Sequence, residues 1–217
     1  MSNCSQKLEK LIATKPEDKR RPKWLMILGF YHKVFNKASL EKVKGFYERA
    51  AAEGLDGEAF YQIATLYEDK KDYANTIAYL EKADACGDPL APFRLSMYYM
   101  NGGFTKQQKR NRKVDRKKGF EYLKRSAELG YPEACMQLGN YYGSGTGCAV
   151  NWKSCVKWLR RSAELGDADG MKAMCQLYKF GKPGILEIDV EKSMFWLEQH
   201  VAQKEKNDRK KAWEFMR

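Results

Sequence analysis

Few residues of this 217-residue chain have the chemistry of a catalytic or metal centre: two histidines, His32 and His200, six cysteines, and a run of glycines and hydroxyls at 143–147. None is spaced for that task. A structural zinc site draws on paired ligands such as Cys-x-x-Cys. Cys4, Cys86, Cys135, Cys148, Cys155 and Cys175 contain no such pair and share no repeating interval. Reduced thiols in a cytosol are their expected state. Gly143-Ser144-Gly145-Thr146-Gly147 lacks both the Lys-Ser/Thr that follows a phosphate-cradling loop and the strand that precedes it. Ser144, flanked directly by glycines, is not the serine of a Gly-x-Ser-x-Gly elbow either. The expectation is a non-catalytic protein with no cofactor and no metal.

The elements that hold these residues repeat. Gly54, Gly87, Gly130 and Gly166 each close a helix-like stretch, and a small residue opens the next at Ala59, Ala91, Ala134 and Gly170. The glycines lie 33, 43 and 36 residues apart, the interval of helical hairpins that stack into solenoids. With the small opener as position 0, position 4 is apolar, position 5 small and position 8 aromatic: Ile63-Ala64…Tyr67, Leu95-Ser96…Tyr99, Leu138-Gly139…Tyr142 and Met174-Cys175…Tyr178. Leu28-Gly29…His32 fits with a histidine in the aromatic slot, a structural reading for His32. These positions share one helical face. The second half of each unit carries an aromatic-apolar pair, Phe46-Tyr47, Tyr79-Leu80, Tyr122-Leu123 and Trp158-Leu159, followed by Ala50, Ala83, Ser126 and Ser162. The closing glycine suits a left-handed helix terminus.

In these residues the chain resembles the Sel-like repeat family, relatives of the tetratricopeptide solenoids. The fourth unit matches best, from Ala134 through Leu138-Gly139 and Tyr142 to Trp158-Leu159-Arg160-Arg161-Ser162-Ala163-Glu164-Leu165-Gly166. The resemblance implies an all-α, right-handed superhelix of about five helical hairpins with terminal caps, used for protein–protein interaction. The units fall at 23–54, 57–87, 89–130, 132–166 and 168–202, within a solenoid spanning 23–202. Residues 1–22 form a capping helix, with Leu8, Leu11 and Ile12 on one face, and a basic linker. Residues 203–217, with Ala212, Trp213, Phe215 and Met216, read as a basic helix folded back on the last unit. Trp24 replaces the small opener, unit 2 lacks a glycine-rich loop, and Lys204 stands where the last closing glycine belongs. The departures at the two ends mark capping units. A disulfide-stapled branch of the family carries regularly spaced cysteine pairs, which this chain lacks.

Charge departs from the repeat pattern. The net balance is +12, yet residues 104–118 carry +7, and 15–23 and 204–217 carry +3 each, leaving the remainder near −1. The stretch at 104–118 also lengthens its unit: 23 residues separate Tyr99 from Tyr122, against 12 to 18 in the others. Insertions in solenoids project from one edge and frequently bind. Lys106, Lys109, Arg110, Arg112 and Lys113 therefore read as an electrostatic handle for an acidic protein, an anionic membrane surface or nucleic acid or, failing a partner, as a solvated loop. Nucleic acid is the weaker alternative, because the stretch has only Phe104 where single-strand binders interleave several aromatics.

Positions 3 and 6 of each first helix face away from the buried stripe and, by resemblance, toward the superhelical groove. In units 2 to 5 they are Gln62/Thr65, Arg94/Met97, Gln137/Asn140 and Ala173/Gln176. Amide side chains both donate and accept, so this row suits the backbone of an extended partner segment. The expected function is a cytoplasmic adaptor that docks a partner in this groove with help from the basic stretch. An inhibitor or immunity-type protein, a use the family has in bacteria, is the alternative reading, and a nucleic-acid-associated factor a second. The apolar run Trp24–Tyr31 follows basic residues as a secretory signal does, but coincides with the first repeat helix. No stretch approaches the roughly 20 apolar residues of a membrane span.

Overall fold

The computed structural model describes residues 2–15, 17–101 and 115–215, and these are helical nearly throughout. The chain divides into two compact units, 1–95 and 96–217. The first holds α1 (Ser2–Thr14), α2 (Arg21–Val34), α3 (Leu40–Ala50), α4 (Asp56–Asp69), α5 (Tyr73–Ala85) and the start of α6 (Leu90–Asn101). The second holds the rest of α6, then α7 (Arg116–Glu128), α8 (Pro132–Ser144), α9 (Trp152–Glu164), α10 (Ala168–Phe180) and α11 (Val190–Phe215). Within each, helices pack on their neighbours in sequence, α1 through α5 and α7 through α11. A repeat that touches only adjacent repeats builds its core in that way. The all-helical hairpin architecture is thus as the repeat predicts.

Each slot of the repeat has a distinct packing task. Ala59, Ala91 and Ala134 at position 0 and Ile63, Leu95, Leu138 and Met174 at position 4 are all 0% exposed. The two small positions differ in what they admit. A Cβ on Gly139, at position 5, would meet Leu159 Cγ at 2.7 Å, in the second helix of the same hairpin. One on Gly170, at position 0, would meet Ser162 Oγ at 2.5 Å and Ala163 N at 2.8 Å, in the preceding unit. Position 5 therefore closes the hairpin and position 0 joins one hairpin to the next.

In units 1 to 3 the ring at position 8 stacks on the aromatic of the second helix, whereas Tyr142 of unit 4 meets Phe120 of the preceding unit edge-on at 5.4 Å. Tyr67 lies 5.4 Å from Tyr79 and Tyr99 5.5 Å from Tyr122, centroid to centroid, with rings near parallel. His32 takes the same place on Phe46, at 5.2 Å and 4°, and its ring nitrogens lie 3.0 Å from Asn36 Nδ2 and 3.3 Å from Glu9 Oε1. An imidazole is therefore accommodated in the aromatic slot by polar partners that a phenol would not need. The other histidine, His200, places Nδ1 2.7 Å from the carbonyl of Ala168, tying α11 to α10.

Helix boundaries follow from capping. The closing glycine Gly166 adopts φ +89°; its N–H donates to the Ala163 carbonyl and that of Asp167 to the Ser162 carbonyl, the paired bonds of a Schellman motif. Asp72, Asp115, Asn151 and Asp189 start the second helices of units 2 to 5, each side chain accepting a backbone N–H three residues on. Unit 2, without a glycine-rich loop, turns instead through Lys71 at φ +61°. The 143–147 run is an interhelical turn: Gly145 ends α8 in the left-handed region and Ser144 Oγ lies 2.8 Å from Thr146 Oγ1.

The two ends differ from expectation. At the N-terminus α1 packs on α2, with Ile12 buried and Leu8 against the core, but Leu11, placed on the same face by the sequence, is 36% exposed. At the C-terminus the helix of unit 5 runs on to Phe215, so no separate helix folds back over 203–215; Met216 is outside the described residues. Lys204 occupies the slot of the closing glycine, and nothing in the following residues interrupts an α-helix. The exposed side of α11 is also not a polar cap, since Val190, Met194, Leu197 and Val201 form an apolar row along it.

Tyr47, 1% exposed against Gly29, fills the centre of the first core. Burial pushes its phenol up to about 12, against about 10 in an unfolded chain. The unfolded state therefore loses its proton first, and stability present below pH 10 is lost as pH rises toward 12. Denaturant midpoints should fall across this window in the native protein and fall less in Tyr47→Phe, a comparison that cancels the titration of the lysines. Parallel curves would remove Tyr47 as the cause.

Candidate protein-binding site

Among the described residues no three histidine, cysteine or carboxylate side chains gather as a metal site. Of the thiols, Cys135 and Cys155 are buried as small apolar groups while Cys86 is exposed, and burial pushes the Cys135 thiol up to about 11. No helix among the described residues is long and apolar enough to cross a membrane. What the fold offers is surface.

The structure distributes the expected groove residues unevenly. In the first unit, Gln62 and Thr65 are half-buried on α4, and the Thr65 hydroxyl donates to the Gln62 carbonyl at 2.7 Å. The Arg94 guanidinium is bound to both carboxylate oxygens of Glu68, so the cation expected to face a partner already holds α6 to α4. In the second unit Met97 is exposed and Gln137 half-buried. Asn140, Ala173 and Gln176 do come together, lining one cleft of about 500 Å³ between α8, α9 and α10. Lys106, Lys109, Arg110, Arg112 and Lys113 lie outside the described residues.

Helical geometry explains why that cleft is open. Asn140 and Gln176 stand one step beyond the stripes that bury Leu138 and Met174, so both are exposed. Small residues Gly143 and Ala173 leave the floor low, and Trp152 from the start of α9 forms one wall. Asn140 Nδ2 reaches Met136 Sδ at 3.0 Å. Lys182, just past α10, holds its Nζ 3.5 Å from the Trp152 ring centroid, a cation–π contact that fixes a positive charge at the rim. Phe180, on the same rim, is 69% exposed. The cleft therefore combines amides, an unburied aromatic and a positioned cation. Lys182, Trp152 and Phe180 were not among the residues expected from sequence, because they belong to helix ends and loops outside positions 3 and 6.

Unit 1 holds the other omission. The same positions counted from Trp24 are Ile27 and Phe30, and both are 55% exposed, with Val34 continuing the row on α2 and exposed Phe35 just past its end. Applying the register to that unit finds them.

Comparison with known proteins bears on both fold and use. Residues 89–131, 132–167 and 168–199 match the Sel1 repeat. Among solved structures, the chain is similar to a Sel1 repeat protein from Oxalobacter formigenes, with a TM-score of 0.68 and 22% identity over 93% of this chain and 81% of that one. It is similar also to the immunity protein PA5088 from Pseudomonas aeruginosa, with a TM-score of 0.57 and 17% identity over 92% and 72%. At such identities the likeness is one of fold. Among curated proteins it is 25% identical to chitin synthase regulatory factor 3 of Schizosaccharomyces pombe over 74% of this chain and 18% of that protein. The chain spans less than a fifth of the length of the curated relatives it matches. Sel1 repeats generally serve protein–protein interaction, and with three of them in tandem over half of its length this chain belongs to the Sel1 repeat family.

Proposed function

We propose that the protein is a non-catalytic adaptor that docks a segment of a partner protein in the cleft between α8, α9 and α10. The observation that carries this reading is the meeting of Asn140 and Gln176 with Phe180 and the Lys182–Trp152 pair around one opening. Amides can satisfy the backbone of an extended segment whatever its sequence. Phe180 supplies the apolar anchor around which interface energy concentrates. Lys182 favours a carboxylate nearby, and the basic stretch from Lys106 to Lys113 attracts an acidic region at longer range, raising the rate of encounter. The likeness to a chitin synthase regulatory factor supports a binding role that modulates an enzyme.

The test begins with crosslinking and affinity capture from the native host, with the partner identified by mass spectrometry and then purified. Phe180→Ala, and Asn140→Ala with Gln176→Ala, should each weaken the purified complex about tenfold or more without changing the helical content. Removal of residues 106–113 should lower affinity at low salt and flatten its salt dependence. Unchanged affinity in the cleft variants would overturn the docking site, and unchanged salt dependence would overturn the steering role.

A further inference from the structure

A second opening of about 700 Å³ lies on the other face of α9, against the end of α7 and the loop that joins α10 to α11. Cys155 and Leu159 belong to the first cleft, whereas Val156, Ile185 and Leu186 line this one. Around that apolar floor stand Lys153, Lys157, Arg160 and Arg161. Spacings of three and four residues put them along one side of α9, and all four are exposed. The near-neutral charge of the scaffold conceals this concentration, because apart from Glu164 the balancing carboxylates sit on other helices.

The cations are partly positioned in advance. Arg160 donates to the Tyr178 hydroxyl at 3.1 Å, which ties its guanidinium to α10 and leaves further N–H groups facing outward. Lys157 lies over the Trp158 ring at 5.7 Å. The loop wall is fixed by the bridge in which Lys182 and Leu186 exchange backbone bonds, at 2.6 and 2.9 Å. An opening with a rigid wall, an apolar floor and a basic edge selects a ligand with the opposite edge.

We infer that this cleft docks an acidic protein segment carrying an aliphatic side chain. The side chain would seat against Val156, Ile185 and Leu186, and the carboxylates would meet Lys153, Lys157 and Arg161. Charge complementarity chooses the acid. The floor chooses an apolar residue over a bare polyanion. Glu128 and Glu164 on the lining oppose a continuous phosphate backbone but can pair with a basic residue or an N–H of a peptide. Trp158 is the single aromatic of the lining, where single strands need successive stacking platforms. This surface is separate from the cleft of Asn140 and Gln176, so either can fail without the other.

The full chain would be titrated by fluorescence anisotropy with a labelled twelve-residue peptide of three Ser-Glu-Glu-Leu repeats. Lys153→Glu, Lys157→Glu and Arg161→Glu together should weaken binding at least about tenfold, and Ile185→Asn several-fold, with unchanged circular dichroism. The same charge reversals at exposed Lys10, Lys42 and Lys70 should change affinity by less than about twofold. The Ser-Glu-Glu-Ser peptide should bind about tenfold more weakly, and oligo-dT of twelve nucleotides no better than that peptide. Asn140→Ala with Gln176→Ala should bind as the native protein does. No binding of the leucine peptide, equal loss from the distant charge reversals, or equal binding of the leucine-free peptide or the oligonucleotide would each overturn the proposal. Loss of binding in the Asn140/Gln176 variant would overturn it too, by moving the peptide to the other cleft.

Discussion

Gly170→Val is expected to lower stability by about 3 kcal/mol or more, toward and beyond the top of the range for overpacked cores, and Tm by roughly 6–12 °C. The position is closed on the side where a Cβ would point. Ser162 Oγ and Cβ would stand 2.5 and 2.9 Å from it and Ala163 N at 2.8 Å, and backbone cannot yield without shifting α9. Nor can the Ser162 side chain turn aside freely. It is fully buried, with its hydroxyl 3.0 Å from the Pro132 carbonyl and 2.8 Å from the Asp167 carboxylate, which also caps α10. A wedge at Gly170 therefore disturbs the hairpin junction and the N-cap together. Gly45→Ala is the control: Gly45 lies within α3 with nothing within 4 Å of its Cβ position, and alanine there should stabilise by about 0.5–1 kcal/mol through helix entropy. Thermal melts of the two variants separate steric from conformational effects. If Gly170→Val melted like the native protein, position 0 would not be the contact that joins hairpins.

The repeat made the packing legible because a buried slot constrains size at every recurrence. Ile63, Leu138 and Met174 differ in type and share one environment, fully buried, so register alone found them. Surface residues face no such constraint. Arg94 fits the groove register as well as Asn140 does, yet it is consumed by Glu68, 26 residues earlier, a pairing that no local pattern announces. Phe180 belongs to the candidate site as the last residue of α10, and Lys182 through a loop whose path is set by its own backbone bridge. The cation row on α9 was visible letter by letter in Lys153, Lys157, Arg160 and Arg161; summing charge over the whole scaffold hid it. The expected separate C-terminal helix failed for a simpler reason. A missing glycine removes a stop signal, and the sequence after Lys204 supplies no other.

The same nearest-neighbour construction sets how damage should spread. Leu138, 0% exposed at position 4 of α8, has no route by which α7, α9 or α10 can collapse fully into the space that truncation would leave. Leu138→Ala should therefore cost about 2–5 kcal/mol, the lost transfer energy plus that of the residual cavity. In a chain whose helices contact mainly their sequence neighbours, stability is a sum of unit and interface energies, so the loss should be local. Hydrogen exchange followed by mass spectrometry should show protection falling by two or more orders of magnitude in α8 and α9, while α2 to α4 of the other compact unit keep theirs. Leu28→Ala, 1% exposed in α2, should give the reciprocal map. Equal loss of protection in both units from either substitution would mean that the chain unfolds as one cooperative block. Partner binding in the Asn140 cleft, measured on Leu28→Ala, would then fall along with α2; under the local scheme it is retained.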